Sequence, residues 1–97
     1  MNKVYAGDRT IDGIVVTVDG EPLNTHEDTK CYSRNGFEWS YEGLAPSQLA
    51  YAILVDHLGD AAKAERLQPT FMRRVVAKFK NEWRMSSADI DRVLGQL

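Results

Sequence analysis

Residues 14–23, IVVTVDGEPL, decide the fold of the N-terminal half of this chain. Residues 14–18 are all β-branched and alternate between two faces, which predicts an extended strand. The Asp-Gly dipeptide at 19–20 follows at once and is typical of a tight hairpin turn. Residues 21–23 then return beside the first strand. Pro22 lacks an amide donor, which places this return at the edge of a sheet.

Two further strands are predicted on either side of this hairpin. Residues 3–6 form a short strand, whereas residues 24–35 are polar and charged, which indicates a loop. Residues 37–41 alternate strictly, so that one face of this strand is aromatic and the other is acidic. We expect the aromatic face to pack against helices. Its members are Phe37, Trp39 and Tyr41.

Helical patterns begin at Pro46, a residue type that suits the first turn of a helix. Apolar residues at spacings of three and four predict a helix from there to Leu58, and Gly59 ends it as a left-handed cap. A shorter helix is predicted over residues 61–67. Asp60 caps this helix, because an aspartate side chain accepts hydrogen bonds from the free amides of a first turn.

Pro69 is expected to break the chain, and Thr70 to cap a third helix over residues 71–84. The last predicted helix begins near Ser86, since an aspartate three residues later resembles a capping box. The inward face of this last helix is predicted to consist of Ile90, Val93, Leu94 and Leu97.

The order of these elements, strands first and helices later, is typical of the α+β class. We expect one domain over residues 1–97, with residues 1–45 mainly in strands and turns and residues 46–97 mainly helical. The predicted architecture is a small N-terminal antiparallel sheet of three to four strands packed against three to four C-terminal helices. The chain is 43% hydrophobic and 27% charged, values that exclude the disordered and coiled-coil classes.

Cysteine usage and hydropathy predict a cytoplasmic protein. Cys31 is the only cysteine, so no disulfide can form within the chain. The longest apolar-rich stretch, residues 49–58, is far shorter than the roughly 20 residues of a membrane span, and no signal peptide is recognised. We expect no membrane association. A chain this short also allows a homodimer, in which an edge strand or a helix face extends the core.

Sequence motifs for cofactors are missing, and we expect neither a cofactor nor a metal. The seven glycines form no phosphate-binding loop, and one cysteine with two histidines is too few for a zinc site. A small enzyme would use Asp8, Arg9, Asp12 or Glu38, with carboxylates as acid and base. Ordinary turn chemistry and an Arg9–Glu38 ion pair explain the same residues without catalysis.

Charge differs between the two halves of the chain. Residues 1–50 hold eight acidic and four basic residues, and residues 51–97 hold six and eight. An acidic surface would attract a basic partner, whereas a basic helix face over residues 71–84 would suit the phosphates of a nucleic acid. The acidic candidates are Asp8, Asp12, Asp19, Glu21, Glu38 and Glu42. The basic candidates are Arg73, Arg74, Lys78, Lys80 and Arg84.

Several segments together resemble a known family. They include YAGDR at 5–9, GFEWSYEG at 36–43 and PSQLA at 46–50. The pattern is similar to that of the domain of unknown function 6166, which occurs in small bacterial, archaeal and phage proteins. The resemblance implies a compact α+β domain that is often encoded on phages or mobile elements, and it implies no catalytic residue and no ligand. If the family pattern includes a polar site, its candidate residues in this chain are Tyr5, Arg9, Glu38 and Gln48.

The leading functional hypothesis is a non-catalytic module that binds another protein through its surface. Encoded by a phage or mobile element, such a module would inhibit or regulate a host system, for instance as an anti-defence protein of the anti-CRISPR kind. The first alternative is a nucleic-acid-binding protein that uses the basic helix. The second is the small enzyme, which requires its candidate residues to converge on a concave surface.

Overall fold

The computed structural model describes residues 2–97, in which an antiparallel sheet of four strands packs against three helices. This arrangement confirms the predicted α+β class. The elements are β1 (Val4–Thr10), β2 (Gly13–Val18), β3 (Glu21–Pro22), α1 (Leu44–Leu58), α2 (Ala61–Arg74), β4 (Trp83–Ser86) and α3 (Ser87–Leu94). Within residues 2–97, no helix has the length and apolar character needed to cross a membrane.

The first three strands form a continuous ribbon with two tight turns. β1 and β2 are antiparallel, with Tyr5 opposite Val18. In the turn between β2 and β3, Asp19 and Gly20 have φ angles of 52° and 84°. This left-handed backbone is tolerated by an Asp-Gly dipeptide, as predicted. The strand order is β3-β2-β1-β4, which confirms the edge position predicted for Pro22.

Alternation along β1 separates an inner face from an outer face. Tyr5 and Gly7 are buried and point inward, so that Arg9, two residues further on, also lies on the inner face. Asp8 lies on the outer face. The core fills the space between the inner face and α1, in which residues 46–54 are buried on all sides.

The second helix is longer than predicted. The Asp60 side chain accepts a hydrogen bond from the amide of Lys63 at 3.1 Å, which confirms its predicted role as a cap. The helix does not end at Leu67, and Pro69 does not break it, because α2 continues to Arg74. Thr70, predicted to cap a new helix, lies within α2 instead.

The predicted helix over residues 71–84 is therefore wrong. After α2 the chain makes one 3-10 turn at Val76–Lys78 and then extends into β4. Trp83, which the spacing assigned to the helix, lies opposite Gly7 on β1. The reason lies in the tertiary structure. One edge of β1 would be unpaired without β4, and the pairing of β4 with that edge satisfies backbone hydrogen-bonding groups and buries the Trp83 indole.

Residues 37–41 do not form the predicted strand. Ser40 has a φ angle of 79°, a left-handed conformation that is uncommon for a residue with a side chain. The surroundings hold this conformation, because the Ser40 amide donates to the carbonyl of Val76 at 3.1 Å. Trp39 is fully buried as expected, but Tyr41 is 50% exposed rather than packed beside it.

The predicted helix ends agree better with the structure. Gly59 ends α1 with a φ angle of 66°. Ser86 and Asp89 form a complete capping box at the start of α3. Ile90 is buried on the predicted inward face, whereas Leu97 is exposed, because α3 ends three residues before it.

Candidate functional site

Arg9 joins β1 to two separate loops. Its Nη2 donates to Oε1 of Glu38 at 2.7 Å and to the carbonyl of Trp39 at 2.8 Å. Its Nη1 donates to Oδ1 of Asn81 at 2.7 Å, and the guanidinium lies 4.5 Å from the centroid of the Trp39 ring. The Arg9–Glu38 ion pair expected from the sequence is present, although Glu38 lies in a loop. These contacts direct the guanidinium at protein oxygens and at an aromatic face, so Arg9 acts as a structural link.

Tyr5 is held in a different place. Its hydroxyl donates to Oδ2 of Asp56 at 2.6 Å, and Nζ of Lys3 lies 3.2 Å from the same oxygen. Burial, followed by the hydrogen bond and the charge of Asp56, raises the pKa of Tyr5 far above its ordinary value. The phenol therefore stays a neutral donor that ties the sheet to α1.

Gln48 connects α1 to the loop that follows β3. Its Oε1 accepts from the amides of Tyr32 at 2.6 Å and Ser33 at 3.1 Å. Its Nε2 donates to the carbonyls of Thr25 at 2.7 Å and Lys30 at 3.1 Å. All four hydrogen-bonding positions of the buried amide are thus used within the fold.

The structure does not bring the candidate catalytic residues together. Arg9 and Glu38 are in contact, but Asp8 lies on the opposite face of the sheet. Asp12 lies in the exposed turn between β1 and β2. The convergence that the enzyme hypothesis requires is not met by these four residues.

The acidic candidates occupy several different places. Asp8 faces outward and Glu38 is ion-paired. Asp19 lies in the turn at one end of β2, and Glu21 directly follows that turn. Asp12 lies at the other end, which is about 20 Å away for a strand of this length. Glu42 lies two residues before α1 and is exposed.

The basic candidates do not share one helix. Arg73 and Arg74 end α2, Lys78 closes the 3-10 turn, Lys80 lies in a loop and Arg84 is on β4. All five are exposed, and the ion pairs formed within residues 2–97 include none of them. The five basic residues therefore do not form one face of a helix. They are distributed over a segment that runs from the end of α2 through the 3-10 turn and a loop into β4.

Histidine and cysteine form no recognisable site. Nε2 of His57 lies 2.6 Å from Oδ1 of Asp91, which pairs the end of α1 with α3. Cys31 is exposed on the loop after β3. In the part of the chain that the structure describes, no three His, Cys, Asp or Glu side chains are placed to hold a metal ion.

An open depression of about 390 Å³ lies on the outer face of the sheet. It extends between β1, β2 and the start of β4, and acidic and basic side chains both border it. The side chains at its border come from Ala6, Asp8, Val15, Thr17, Glu82 and Arg84.

A larger and more apolar space lies along β2. This space, called the β2 hollow below, has a volume of about 630 Å³ and is bordered by residues 13–17, the end of β3 and residues 35–37. Ile14, Leu23 and Phe37 line it with apolar side chains.

Exposed apolar side chains are concentrated on the β1–β2 hairpin, with Ile14 on the inner face of the sheet beside the β2 hollow and Val15 on the outer face. Ile11, at the tip of the β1–β2 hairpin, is fully exposed, and Val15 and Ile14 are 48% and 37% exposed. Because large apolar side chains seldom remain exposed together without a partner, this hairpin is the candidate functional site.

Sequence patterns did not predict this site. Residues 14–18 were predicted correctly as a strand, but Phe37 was assigned to a strand face in the core. One signal in the sequence does point to the site: residues 14–18 are five β-branched residues in a row, whereas Pro22 limits the strand that returns beside them.

Comparison with known proteins gives a family and no characterised relative. Searches of curated proteins and of solved structures found no match to the chain. The pattern that resembles the domain of unknown function 6166 is confirmed by a family match over residues 5–96. The chain therefore belongs to the family described as "Family of unknown function (DUF6166)".

Proposed function

We propose that this domain is a non-catalytic module that binds another protein through the β1–β2 hairpin. The observation that carries the proposal is the exposure of three apolar side chains on this hairpin, Ile11, Ile14 and Val15, of which Ile14 lines the β2 hollow. Protein interfaces bury such groups at their centre and keep charged residues at their rim. Asp12, on the same hairpin tip, supplies a charge at that rim.

The internal use of the other polar candidates supports the same proposal. Arg9 and Gln48 direct their hydrogen bonds at protein atoms, and Tyr5 is bonded to Asp56. A surface that buries apolar groups needs no activated side chain, whereas an enzyme needs reacting groups within hydrogen-bond distance of one another.

The test compares the hairpin with a distant exposed apolar residue. The double variant Ile11→Asp/Val15→Asp adds charge at the hairpin, and Leu44→Asp does the same at the start of α1. Wild type and variants are immobilised and exposed to lysate of the native cell, and the proteins that they capture are compared by quantitative mass spectrometry. Each captured protein is then purified, and its affinity for wild type and for each variant is measured.

We expect at least one partner to bind wild type and Leu44→Asp with similar affinity and the double variant at least tenfold more weakly. A set of partners that is the same for all three proteins would contradict the proposal. Circular dichroism of each variant checks that its fold is retained.

A narrower form of the proposal is an inhibitor or regulator of a host system, encoded by a phage or mobile element and acting in the cytoplasm. The exposed, unpaired Cys31 suits a reducing compartment. The family resemblance suggests the mobile-element origin, and a partner that belongs to a defence system would support the narrower form.

Nucleic-acid binding is the second candidate, favoured by one observation. The basic residues of the segment from α2 to β4 are exposed and take part in no ion pair within residues 2–97. Binding of duplex and single-stranded DNA is measured by fluorescence anisotropy from 20 to 200 mM salt. Affinity that falls steeply with salt and is lost in Arg73→Glu/Lys80→Glu would support this function, and no binding at the lowest salt would exclude it.

A further inference from the structure

The backbone of β2 has one side that β3 covers only in part. The amide of Asp19 donates to the carbonyl of Val4 at 2.8 Å, which sets the phase of the antiparallel β1–β2 ladder. Hydrogen-bonded pairs alternate in such a ladder. Ile14 and Val16 therefore point their backbone groups away from β1, as the hydrogen bond from the Leu23 amide to the Val16 carbonyl at 3.1 Å confirms.

Three of these groups have no partner within residues 2–97. β3 pairs only with Thr17 and Val18. The N–H and C=O of Ile14 face the side on which the returning chain has ended, whereas the N–H of Val16 lies beside Leu23, which follows β3. Because Leu23 lies opposite Val16, the uncovered edge of β2 runs from residue 13 to residue 15 and is about 10 Å long.

The β2 hollow lies along this same edge. The edge borders one side of the hollow, residues 35–37 border the other, and the end of β3 closes it. A volume of about 630 Å³ accommodates a short extended segment with one or two apolar side chains. Ile14, Leu23 and Phe37 would contact those side chains.

Charge indicates the chemistry of the segment. Asp12 and Glu21 are exposed near the two ends of the hollow, and neither forms an ion pair within the described chain. An extended segment with Lys or Arg beside its apolar residues would be complementary to both carboxylates.

We propose that β2 binds an extended, basic segment of the partner protein as an additional strand in line with β3. Backbone groups of the segment would pair with the N–H and C=O of Ile14, next to the place that Leu23 occupies, and its apolar side chains would enter the β2 hollow, as in other cases of β-strand addition. This inference rests on the proposed function and names the part of the partner that is recognised.

A second copy of this chain fits the edge less well. A stable dimer buries about 800 Å² on each partner, whereas the free edge offers only three residues before Leu23 and β3 occupy its line. A short segment needs no larger surface, because backbone hydrogen bonds provide much of its affinity.

The first experiment selects peptides from a phage-displayed library of random twelve-residue sequences. Binding to wild type is followed by removal of peptides that also bind Ile14→Pro, in which the edge donor is absent. Because the Ile14 amide points away from β1, proline there leaves the β1–β2 ladder intact. Ile14→Ala is the matched control, since it removes the side chain and keeps the donor.

We expect enrichment of peptides in which apolar residues occupy alternate positions and which also contain Lys or Arg. These peptides should bind Ile14→Pro at least tenfold more weakly than Ile14→Ala. Failure to enrich any peptide on wild type over Ile14→Pro would overturn the inference.

The second experiment leaves the protein unchanged. The best selected peptide is synthesised with and without N-methyl groups at alternate positions, and its binding is followed by amide NMR spectra of the labelled protein. We expect shifts centred on the amide of Ile14 and at least tenfold weaker binding when the bonding amides of the peptide are methylated. Shifts elsewhere, or binding insensitive to methylation, would overturn strand addition.

The outcomes separate this inference from the proposed function. A partner that needs Ile11 and Val15 but binds Ile14→Pro as well as Ile14→Ala would retain the proposed function and overturn strand addition. Concentration-dependent shifts of the Ile14 amide without peptide, together with a dimeric mass by light scattering, would assign the edge to a second copy instead.

Discussion

Gly7 leaves the space in which the indole of Trp83 lies. A Cβ atom at residue 7 would come 2.2 Å from Nε1 of Trp83. The indole is further enclosed by Phe79, stacked at 4.2 Å between ring centroids, and by the edge of Trp39 at 5.9 Å. The glycine is thus required by packing and not by its backbone angles.

Gly7→Ala should therefore destabilise the protein. We expect the free energy of unfolding to fall by about 2 kcal/mol or more, because the new methyl group displaces a ring that its neighbours hold in place. Gly95→Ala is the matched control, since a Cβ there meets nothing closer than 3.5 Å. Urea unfolding measures both variants, and equal stabilities would contradict the packing argument.

Asp89 makes the stability of α3 depend on pH. Its carboxylate accepts a hydrogen bond from the Ser86 amide at 3.0 Å, and its own amide donates to the Ser86 hydroxyl at 3.1 Å. The bond from the Ser86 amide, the bond with the Ser86 side chain and the nearby Arg92 together lower the pKa of Asp89 below its ordinary value of 3.8.

An aspartate whose pKa is lower in the folded state than in the unfolded state stabilises the fold. This contribution is fully present when the pH is above the unfolded-state pKa, and it is lost as the pH falls through the folded-state pKa. We expect Asp89→Asn to be less stable than wild type from pH 5 to pH 7. The difference in free energy of unfolding should shrink below about pH 4. Urea unfolding of both proteins at several pH values measures this difference. A difference that stays constant down to pH 2 would contradict the stabilising role of the Asp89 carboxylate.

α2 tolerates a proline because tertiary contacts hold the helix. Pro69 removes one helical hydrogen bond, to the carbonyl of Glu65, and both residues are exposed. On the side of α2 that faces α1 and the core, four residues at spacings of three and four are buried. These buried residues are Ala64, Gln68, Phe71 and Met72.

Replacing the proline should stabilise the protein. We expect Pro69→Ala to raise the free energy of unfolding by about 1–2 kcal/mol, because the gain of a helical hydrogen bond exceeds the added entropy of the unfolded chain. Arg66→Ala, on the exposed face of the same helix, should change it by less than about 0.5 kcal/mol. Thermal and urea unfolding compare the two, and a less stable Pro69→Ala would show that α2 needs the proline.

Local sequence signals predicted some elements well and others poorly. The β2–β3 turn, the Gly59 cap and the Ser86 capping box each depend on residues close together in the chain, and each was predicted. The segment after Arg74 was predicted as helix, and residues 37–41 as strand, because their apolar spacing fits those periods. Their conformations depend instead on partners far away in sequence, Gly7 for Trp83 and Val76 for Ser40.

Across the whole molecule, Gln48 holds the long loop between β3 and α1 against the core. Gln48→Ala removes four hydrogen bonds and leaves partly buried backbone groups without these partners, so we expect a loss of about 2–4 kcal/mol in the free energy of unfolding. The amides of Tyr32 and Ser33 should exchange with deuterium at least tenfold faster, which mass spectrometry measures.

Gln68→Ala is the matched control for this variant. Gln68 is also buried, but its side chain makes no hydrogen bond within residues 2–97. We expect the amides of Tyr32 and Ser33 to exchange in this variant as in wild type. Unchanged exchange in Gln48→Ala would show that other contacts hold the loop.

The sequence by itself determined the α+β class, the β2–β3 hairpin, the edge position of Pro22 and the helix caps at Gly59, Asp60 and Ser86, because each follows from residue types and spacings within a few residues. Only the tertiary structure decided that the C-terminal half returns one strand to the sheet, that Arg9 and Gln48 serve the fold, and that β2 keeps an uncovered edge beside an apolar hollow. These features depend on which distant segments meet, and the free energy of those contacts overrides the preferences of the local chain.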